Sequence, residues 1–342
     1  MTMQTYSTVA SRNLIRAERE MLKHAQPIMV LSNFGAQKEQ PKNATDTIVF
    51  RRAVPIDAQA NGAPLVDQNN YLIAEGTTPT AKTITYQDVT VTLQNYGVLM
   101  KLTSKAALMY EDDIPGDMVK LVGEHMGSLA EVINYGVCRA GTNVLYANGS
   151  SRASVNTAIS LNLLRKAART LENAFAQRVT QRLAPSTNFG TAAVAPGFLV
   201  FAHTDAIADI RNIAGFVPVE EYGQFKPAHE REVGKIEDFR IISSPYFRPF
   251  AASGSATLNG MLNSGAGPNV DVYPVLVVAE DAWGQVALKG QGAARPTYLP
   301  PSQKNHANPM GLFGYVGVDF WKAAVRLNEN WMLRLEVGAT SL

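Results

Sequence analysis

Apolar residues recur at every third or fourth position over one long stretch of this chain, Pro115–Gly141 (PGDMVKLVGEHMGSLAEVINYGVCRAG). Met118, Val122, Met126, Leu129, Ile133 and Val137 fall on one face of a period-3.6 helix, and that face must bury against something. Pro115 suits a first helical turn, where its missing N–H is not needed. Glu111, Asp112 and Asp113 lie just upstream, where negative charge favours the positive end of the helix dipole. Arg139 and Gly141 are stop signals. The spacing predicts a helix over 115–140, a rod of roughly 38 Å and about twice the average helix length.

Elsewhere the period changes to two. Asp46–Val54 (DTIVFRRAV) and Lys82–Leu93 (KTITYQDVTVTL) read as strands, with Gln87 and Asp88 interrupting the second as a bulge would. Between them lies PIDAQANGAPLVDQNNYLIAEGTTPTA (Pro55–Ala81), rich in Pro, Gly, Asn, Gln and Thr. So long a connection has a task of its own, and the economical reading is a two-stranded flap whose tip packs on another molecule. Tyr96–Leu102 predicts another strand and Ser160–Phe175 a second amphipathic helix. Pro196–Ala202 reads as a buried strand running into His203-Thr204-Asp205, where Thr204 or Asp205 would cap a helix ending near Arg211. Val233–Tyr246 reads as a turn and a strand, and Val272–Leu288 as two strands around the same core. The chain closes with Gly314–Asn328 and Trp331–Val337, joined by a short Glu-Asn turn as in a hairpin. Before all this, residues 11–25 suggest a short amphipathic helix, and Pro27–Lys42 an irregular, extended arm.

The 342 residues, 46% of them hydrophobic, suffice for two or three packed units. A net charge of +2 gives no global basic field of the kind a dedicated nucleic-acid binder carries. The single cysteine, Cys138, cannot form an internal disulfide and reads as a small apolar helix residue, consistent with a reducing compartment. MTMQTYSTVASRN lacks a basic region followed by an apolar core, so no signal peptide is expected. Apolar runs such as Tyr273–Ala279 fall well short of the roughly 20 residues of a membrane span. The sequons at Asn43 and Asn148 then read as chance matches.

Enzyme motifs are scarce. No phosphate-cradling G-x-x-x-x-G-K-[ST] occurs, His229-Glu230 does not continue into a zinc-protease motif, and no G-x-S-x-G elbow is present. His24, His125, His203, His229 and His306 are dispersed, and no metal ligands or cofactor-binding residues are assigned. His203 and Asp205, at a strand-to-helix turn, are the best catalytic candidates, but no partner nucleophile is visible. The pairs Glu220/Glu221 and Glu280/Asp281 read as solvated. Arg12, Arg16, Arg19 and Lys23 share one helical face. That stripe is either a solvated surface partly neutralised by Glu18 and Glu20 or a contact to nucleic acid or a partner.

The order of parts, a polar arm, a long flap, a long helix, a mixed α/β unit and a closing aromatic strand pair, resembles the major capsid protein of tailed bacteriophages. Three segments carry the likeness locally: GFLVFAHTDAIADIRN (Gly197–Asn212), EREVGKIEDFRIISSPYF (Glu230–Phe247) and PMGLFGYVGVDFWKAAVRLNENWMLRLEVG (Pro309–Gly338), the last especially similar to short-tailed phages with large genomes. The resemblance implies an α+β fold with a long spine helix, an extended β-hairpin E-loop and a mixed α/β A-domain. The expected division is an N-terminal arm (1–45), an E-loop hairpin (46–95), a P-domain with the spine helix (96–155), an A-domain (156–310) and return strands of the P-domain (311–342).

In function, the resemblance implies a structural protein rather than an enzyme. Copies would form hexamers and pentamers of an icosahedral shell enclosing double-stranded DNA, assembled in the host cytoplasm and located in the virion capsid, with no membrane contact. Portal and possible scaffolding or decoration proteins would be further partners, scaffolding as a separate protein since no long N-terminal scaffolding segment is seen. Expected inter-subunit contacts are Arg51, Arg52, Pro55, Asn61, Tyr71 and Leu72, with Arg12, Arg16, Arg19 and Lys23 facing DNA. The family's lysine–asparagine cross-link cannot be mapped onto Lys82, Lys101 or any asparagine here. The alternatives are an encapsulin-type nanocompartment shell and a cytosolic α/β enzyme using His203 and Asp205.

Overall fold

The computed structural model describes residues 29–342 except 44, 60–61, 65, 74, 110–112, 180–195, 223–226, 266, 291–294, 305 and 307. In chain order the strands are β1 (Ala36–Gln40), β2 (Thr47–Ala53), β3 (Tyr86–Thr92), β4 (Gln94–Thr103), β5 (Val144–Tyr146), β6 (Phe198–Ala202), β7 (Phe216–Pro218), β8 (Glu232–Ile236), β9 (Phe239–Ser243), β10 (Tyr273–Val278), β11 (Trp283–Leu288), β12 (Arg295–Leu299), β13 (Phe313–Arg326) and β14 (Met332–Val337). The helices are α1 (Ser104–Met109), α2 (Ile114–Arg139), α3 (Leu161–Asn173) and α4 (Ile207–Arg211). The chain divides into two compact units, one of residues 1–48, 92–135 and 285–324, the other of 49–91, 136–284 and 325–342.

The first unit is built on β13. This 14-residue strand alternates buried and less buried positions, as a sheet with one covered face requires. It pairs antiparallel with β4 from Phe313↔Thr103 to Lys322↔Gln94 and with β12 from Arg295↔Asp319 to Leu299↔Tyr315. Strands β11 and β1 complete the five-stranded sheet. Val316, Val318 and Phe320 of β13 and Leu102 of β4 bury against Ile114, Met118, Val119, Val122, Met126 and Ala130 of the long helix α2. Asp113 caps that helix, its Oδ1 accepting from Gly116 N at 3.1 Å.

The second unit holds a seven-stranded sheet in the order β5-β14-β10-β6-β9-β8-β7. Every residue of β6 and β10 is buried, which is why these strands read as unbroken apolar runs. Leu163, Leu164, Ala167 and Leu171 of α3 cover Phe198, Val200, Ile241, Val275, Val277 and Leu335. Ser160 caps α3 by accepting from Leu163 N at 3.3 Å. Phe201 meets Phe247 and Trp283 edge to face. A buried ion pair, Arg240 Nη1 to Glu232 Oε1 at 2.9 Å, is completed by the Tyr222 hydroxyl donating to the same oxygen at 2.7 Å. Burial, and then Glu232, push that phenol's pKa well above its ordinary value.

Four expectations are corrected. Residues 36–40 are strand β1 rather than irregular arm. The last two strands are not a hairpin: β13 lies in the five-stranded sheet and β14 pairs with β10 and parallel to β5. Likewise β10 and β11, expected around one core, belong to different sheets. The turn expected at the start of Val233–Tyr246 falls instead at Glu237, in the left-handed region at φ 48°. Gly234 sits within β8 beside a register shift, because a Cβ there would lie 2.4 Å from Phe216 Cζ and 2.6 Å from the Val217 carbonyl oxygen.

Candidate assembly surfaces

Strands β2 and β3 form a separate two-stranded sheet, so the flap is present, with its long connection between them. Asp67 accepts from Asn69 N at 3.0 Å and caps a single helical turn at Gln68–Tyr71. The Tyr71 hydroxyl donates to Asp57 Oδ2 at 2.6 Å, Lys82 Nζ bonds the same carboxylate, and the Lys82 ammonium lies 4.5 Å from the Tyr71 ring centroid. The Lys82 bond, then that of Tyr71, holds the Asp57 carboxyl below the usual carboxylate range. Arg51 grips Asp88 with two bonds of 2.7 Å, and Arg52 donates to Gln87 at 2.8 Å. The flap is therefore cross-tied by polar groups although it has little core of its own.

Its surface is apolar where a free surface should be polar. Val66 is 74% exposed, Leu72 78% and Ile73 67%, and Ile56, Ile84 and Tyr86 are also exposed. Such a concentration on one small element is the mark of a contact surface. Arg51, Arg52, Pro55, Tyr71 and Leu72 all lie exposed on this element, while Asn61 falls outside the described residues. Sequence reasoning misses Val66, Ile73, Ile56 and Ile84, because the polar composition of the connection is its strongest signal and isolated apolar residues within it stand out weakly. The turn at Gly62 (φ 77°) has a neighbour in its own chain, since a Cβ there would come 3.3 Å from Asn330 Nδ2, and Ala63 is buried.

A second feature anchors the N-terminal residues of the described chain. Glu131, on α2 and fully buried, accepts from Leu31 N at 2.7 Å, Val30 N at 3.2 Å and Ser32 N at 3.3 Å. Asn134 Nδ2 donates to Ser32 Oγ at 2.9 Å, and Gln285 Nε2 to the carbonyls of Leu31, Ser32 and Phe34. Buried Lys322 Nζ donates to Ser32 Oγ at 3.1 Å. Burial raises the Glu131 pKa and lowers that of Lys322 to about 8, each opposed by the charge of the other. The stripe Arg12, Arg16, Arg19 and Lys23 lies outside the described residues.

His203 and Asp205 do meet, but as parts of a turn. His203 Nδ1 accepts from Asp205 N at 3.2 Å, so the histidine, rather than Thr204 or Asp205, caps the turn. Its ring also bonds the Pro245 backbone, and Tyr273 donates to Asp205 Oδ2 at 2.8 Å. Burial holds the His203 pKa below its ordinary value. No Ser, Thr, Cys or Lys nucleophile bonds to this pair among the described residues. Among them, too, no group of three His, Cys, Asp or Glu side chains is arranged to hold a metal ion, and no helix is long and apolar enough to cross a membrane.

The architecture is thus a long helix laid on an antiparallel sheet, a polar-tied flap and a seven-stranded mixed sheet. No protein-family model and no curated protein matches the sequence. Solved structures do match, over essentially the whole chain. The chain from the capsid of Ralstonia phage GP4 aligns with a TM-score of 0.64 and 13% identity, covering 100% of this chain and 99% of that one. The cyanophage Pam1 capsid aligns with 0.60 and 13%, covering 99% and 97%. The head of Helicobacter pylori bacteriophage KHP40 aligns with 0.59 and 12%, covering 97% and 94%. At such identities the shared property is the fold, and this chain has the tailed-phage capsid fold.

Proposed function

We propose that the chain is a structural subunit that assembles with copies of itself into hexamers and pentamers of an icosahedral shell enclosing double-stranded DNA, and is found in the virion capsid. The observation that carries this reading is the flap. Its shape is set by Asp57, Tyr71, Lys82 and the Arg51–Asp88 pair, yet it leaves Val66, Leu72 and Ile73 in water. A second copy is the partner that would bury them, because a patch that meets a different patch on an identical neighbour makes head-to-tail contacts that close into rings. In this reading residues 46–95 are the E-loop, the sheet with α2 is the P-domain, and the seven-stranded sheet is the A-domain. Portal, scaffolding or decoration proteins would be additional partners. The test is deletion of residues 55–81: circular dichroism and a cooperative melt remain, and electron micrographs show no shells. Normal shells from the deletion variant would remove the flap from assembly. Should wild-type particles carry protein cargo instead of nucleic acid, the nanocompartment reading would replace the DNA-filled one.

A further inference from the structure

Helix α3 ends on a residue its backbone does not favour. Phe175 N donates to the Glu172 carbonyl at 2.9 Å and Ala176 N to the Leu171 carbonyl at 3.0 Å, the paired bonds of a Schellman cap. Such a cap places one residue in the left-handed region, ordinarily a glycine, and here that residue is Phe175 at φ 54°. The other non-glycine residues in this region, among those described, are Asn, Asp, Glu or Ala. A bulky side chain there is strained, because its Cβ crowds the following carbonyl.

The strain persists because the backbone on both sides is fixed. Trp331 Nε1 donates to the Ala174 carbonyl at 3.1 Å, Glu280 N to the Gln177 carbonyl at 3.0 Å and Val179 N to the Gly197 carbonyl at 3.0 Å. Leu171 and Ala174 are buried. The ring itself is not. Phe175 is 63% exposed, the one exposed phenylalanine among the described residues. Strain and exposure thus coincide in a side chain that adds little to the lone chain, and a rigid turn holds it out in water.

The groups beside it are polar and of both signs. Arg178 meets Glu172 Oε1 at 3.0 Å and Asp238 Oδ1 at 2.9 Å, and Arg165 Nε donates to Glu237 Oε1 at 2.9 Å. Three carboxylates against two guanidiniums give no cationic surface for a phosphate backbone. An exposed aromatic anchor, held rigidly beside a polar rim, has the anatomy of a protein contact. A rim of mixed sign suits a partner surface that is also mixed, and this chain, with 31 Lys and Arg against 29 Asp and Glu, supplies one.

We propose that Phe175 is an anchor that inserts into a second copy of this chain, a contact additional to that of the flap and resting on the shell reading above. The test uses the purified full chain and separates the ring from the backbone strain. Phe175→Gly removes both, so the melting temperature of the dissociated chain rises by about 2 °C, while the concentration needed for self-association rises about 30-fold, read by sedimentation velocity. Phe175→Ala removes the ring but keeps the strained backbone. It melts within about 1 °C of the wild type and loses association as Phe175→Gly does. A fall in melting temperature for Phe175→Gly would show the ring covered by its own chain and overturn the proposal. Association of both variants at the wild-type concentration would overturn it too. A wild type that forms small oligomers rather than closed shells, with the same loss in both variants, keeps the anchor and removes the shell reading; closed shells from the wild type and both variants alike do the reverse.

Discussion

Glu131 shows how much one side chain can organise. A carboxylate on an apolar helix is ordinarily solvated, yet here it satisfies three backbone N–H groups about 100 residues away in sequence. Removing it leaves those donors without their acceptor and the buried Lys322 ammonium without its nearby counter-charge, so Glu131→Ala is expected to destabilise the fold by about 3 kcal/mol, measured by urea unfolding. Lys322 makes a signed prediction with pH. Its folded pKa of about 8 lies below the ordinary 10.5, so between those values the unfolded chain holds the proton more tightly than the folded one. Stability therefore rises with pH across that window, by about 3 kcal/mol in all at full coupling, and the rise is absent in Lys322→Met. Glu131 acts oppositely: its raised pKa makes its contribution greatest at low pH and lost as pH rises through the folded value. At His203 the structure leaves a capping role, and His203→Ala is expected to cost about 1 kcal/mol in a thermal melt. None of this was legible from residue type. Glu131 and Asn134 interrupt an apolar pattern, and the partners that fold back from residues 30–34, with Gln285 for Asn134, make their burial tolerable.

At the scale of the element, the long helix was legible almost to the residue. Pro115, the acidic residues before it, and Arg139 and Gly141 at its end marked Ile114–Arg139. Its buried face was legible only in its first half. Met118, Val122 and Met126 are buried as the spacing requires, but the line then passes to Ala130, Asn134 and Cys138, leaving Leu129, Ile133 and Val137 partly covered. Steps of four residues advance 40° beyond a full turn, so a stripe of such steps winds around the helix. Met126→Ala is accordingly expected to cost about 3 kcal/mol, and Leu121→Ala, on the exposed side, less than about 0.5 kcal/mol, both by chemical denaturation. The closing strands failed for a different reason. Alternation tells which face of β13 and β14 is covered but not which strand lies beside it, and the helical turn Glu329–Trp331 sends them to separate sheets. For the flap, strand pairing was legible from alternation and Leu72 was singled out, but the exposed Val66 and Ile73 were not, since isolated apolar residues in a polar loop carry no period.

For the whole molecule, a near-neutral chain of +2 lacks the global field that would draw it onto DNA, so in the proposed shell any contact with the enclosed DNA would be local. In the proposed shell, assembly depends on apolar burial at the flap more than on charge. Raising salt from about 0.05 to 0.5 M is therefore expected to leave shells intact, whereas Leu72→Asp is expected to abolish them, both scored by sedimentation. The central claim, that this capsid-like fold builds a closed container from copies of itself, is tested most directly by electron microscopy of the purified full-length chain. Closed shells of uniform diameter, with a surface that resolves into rings of five and six copies, are the expected result; a monodisperse monomer or small oligomer over a range of concentrations and salts would contradict it.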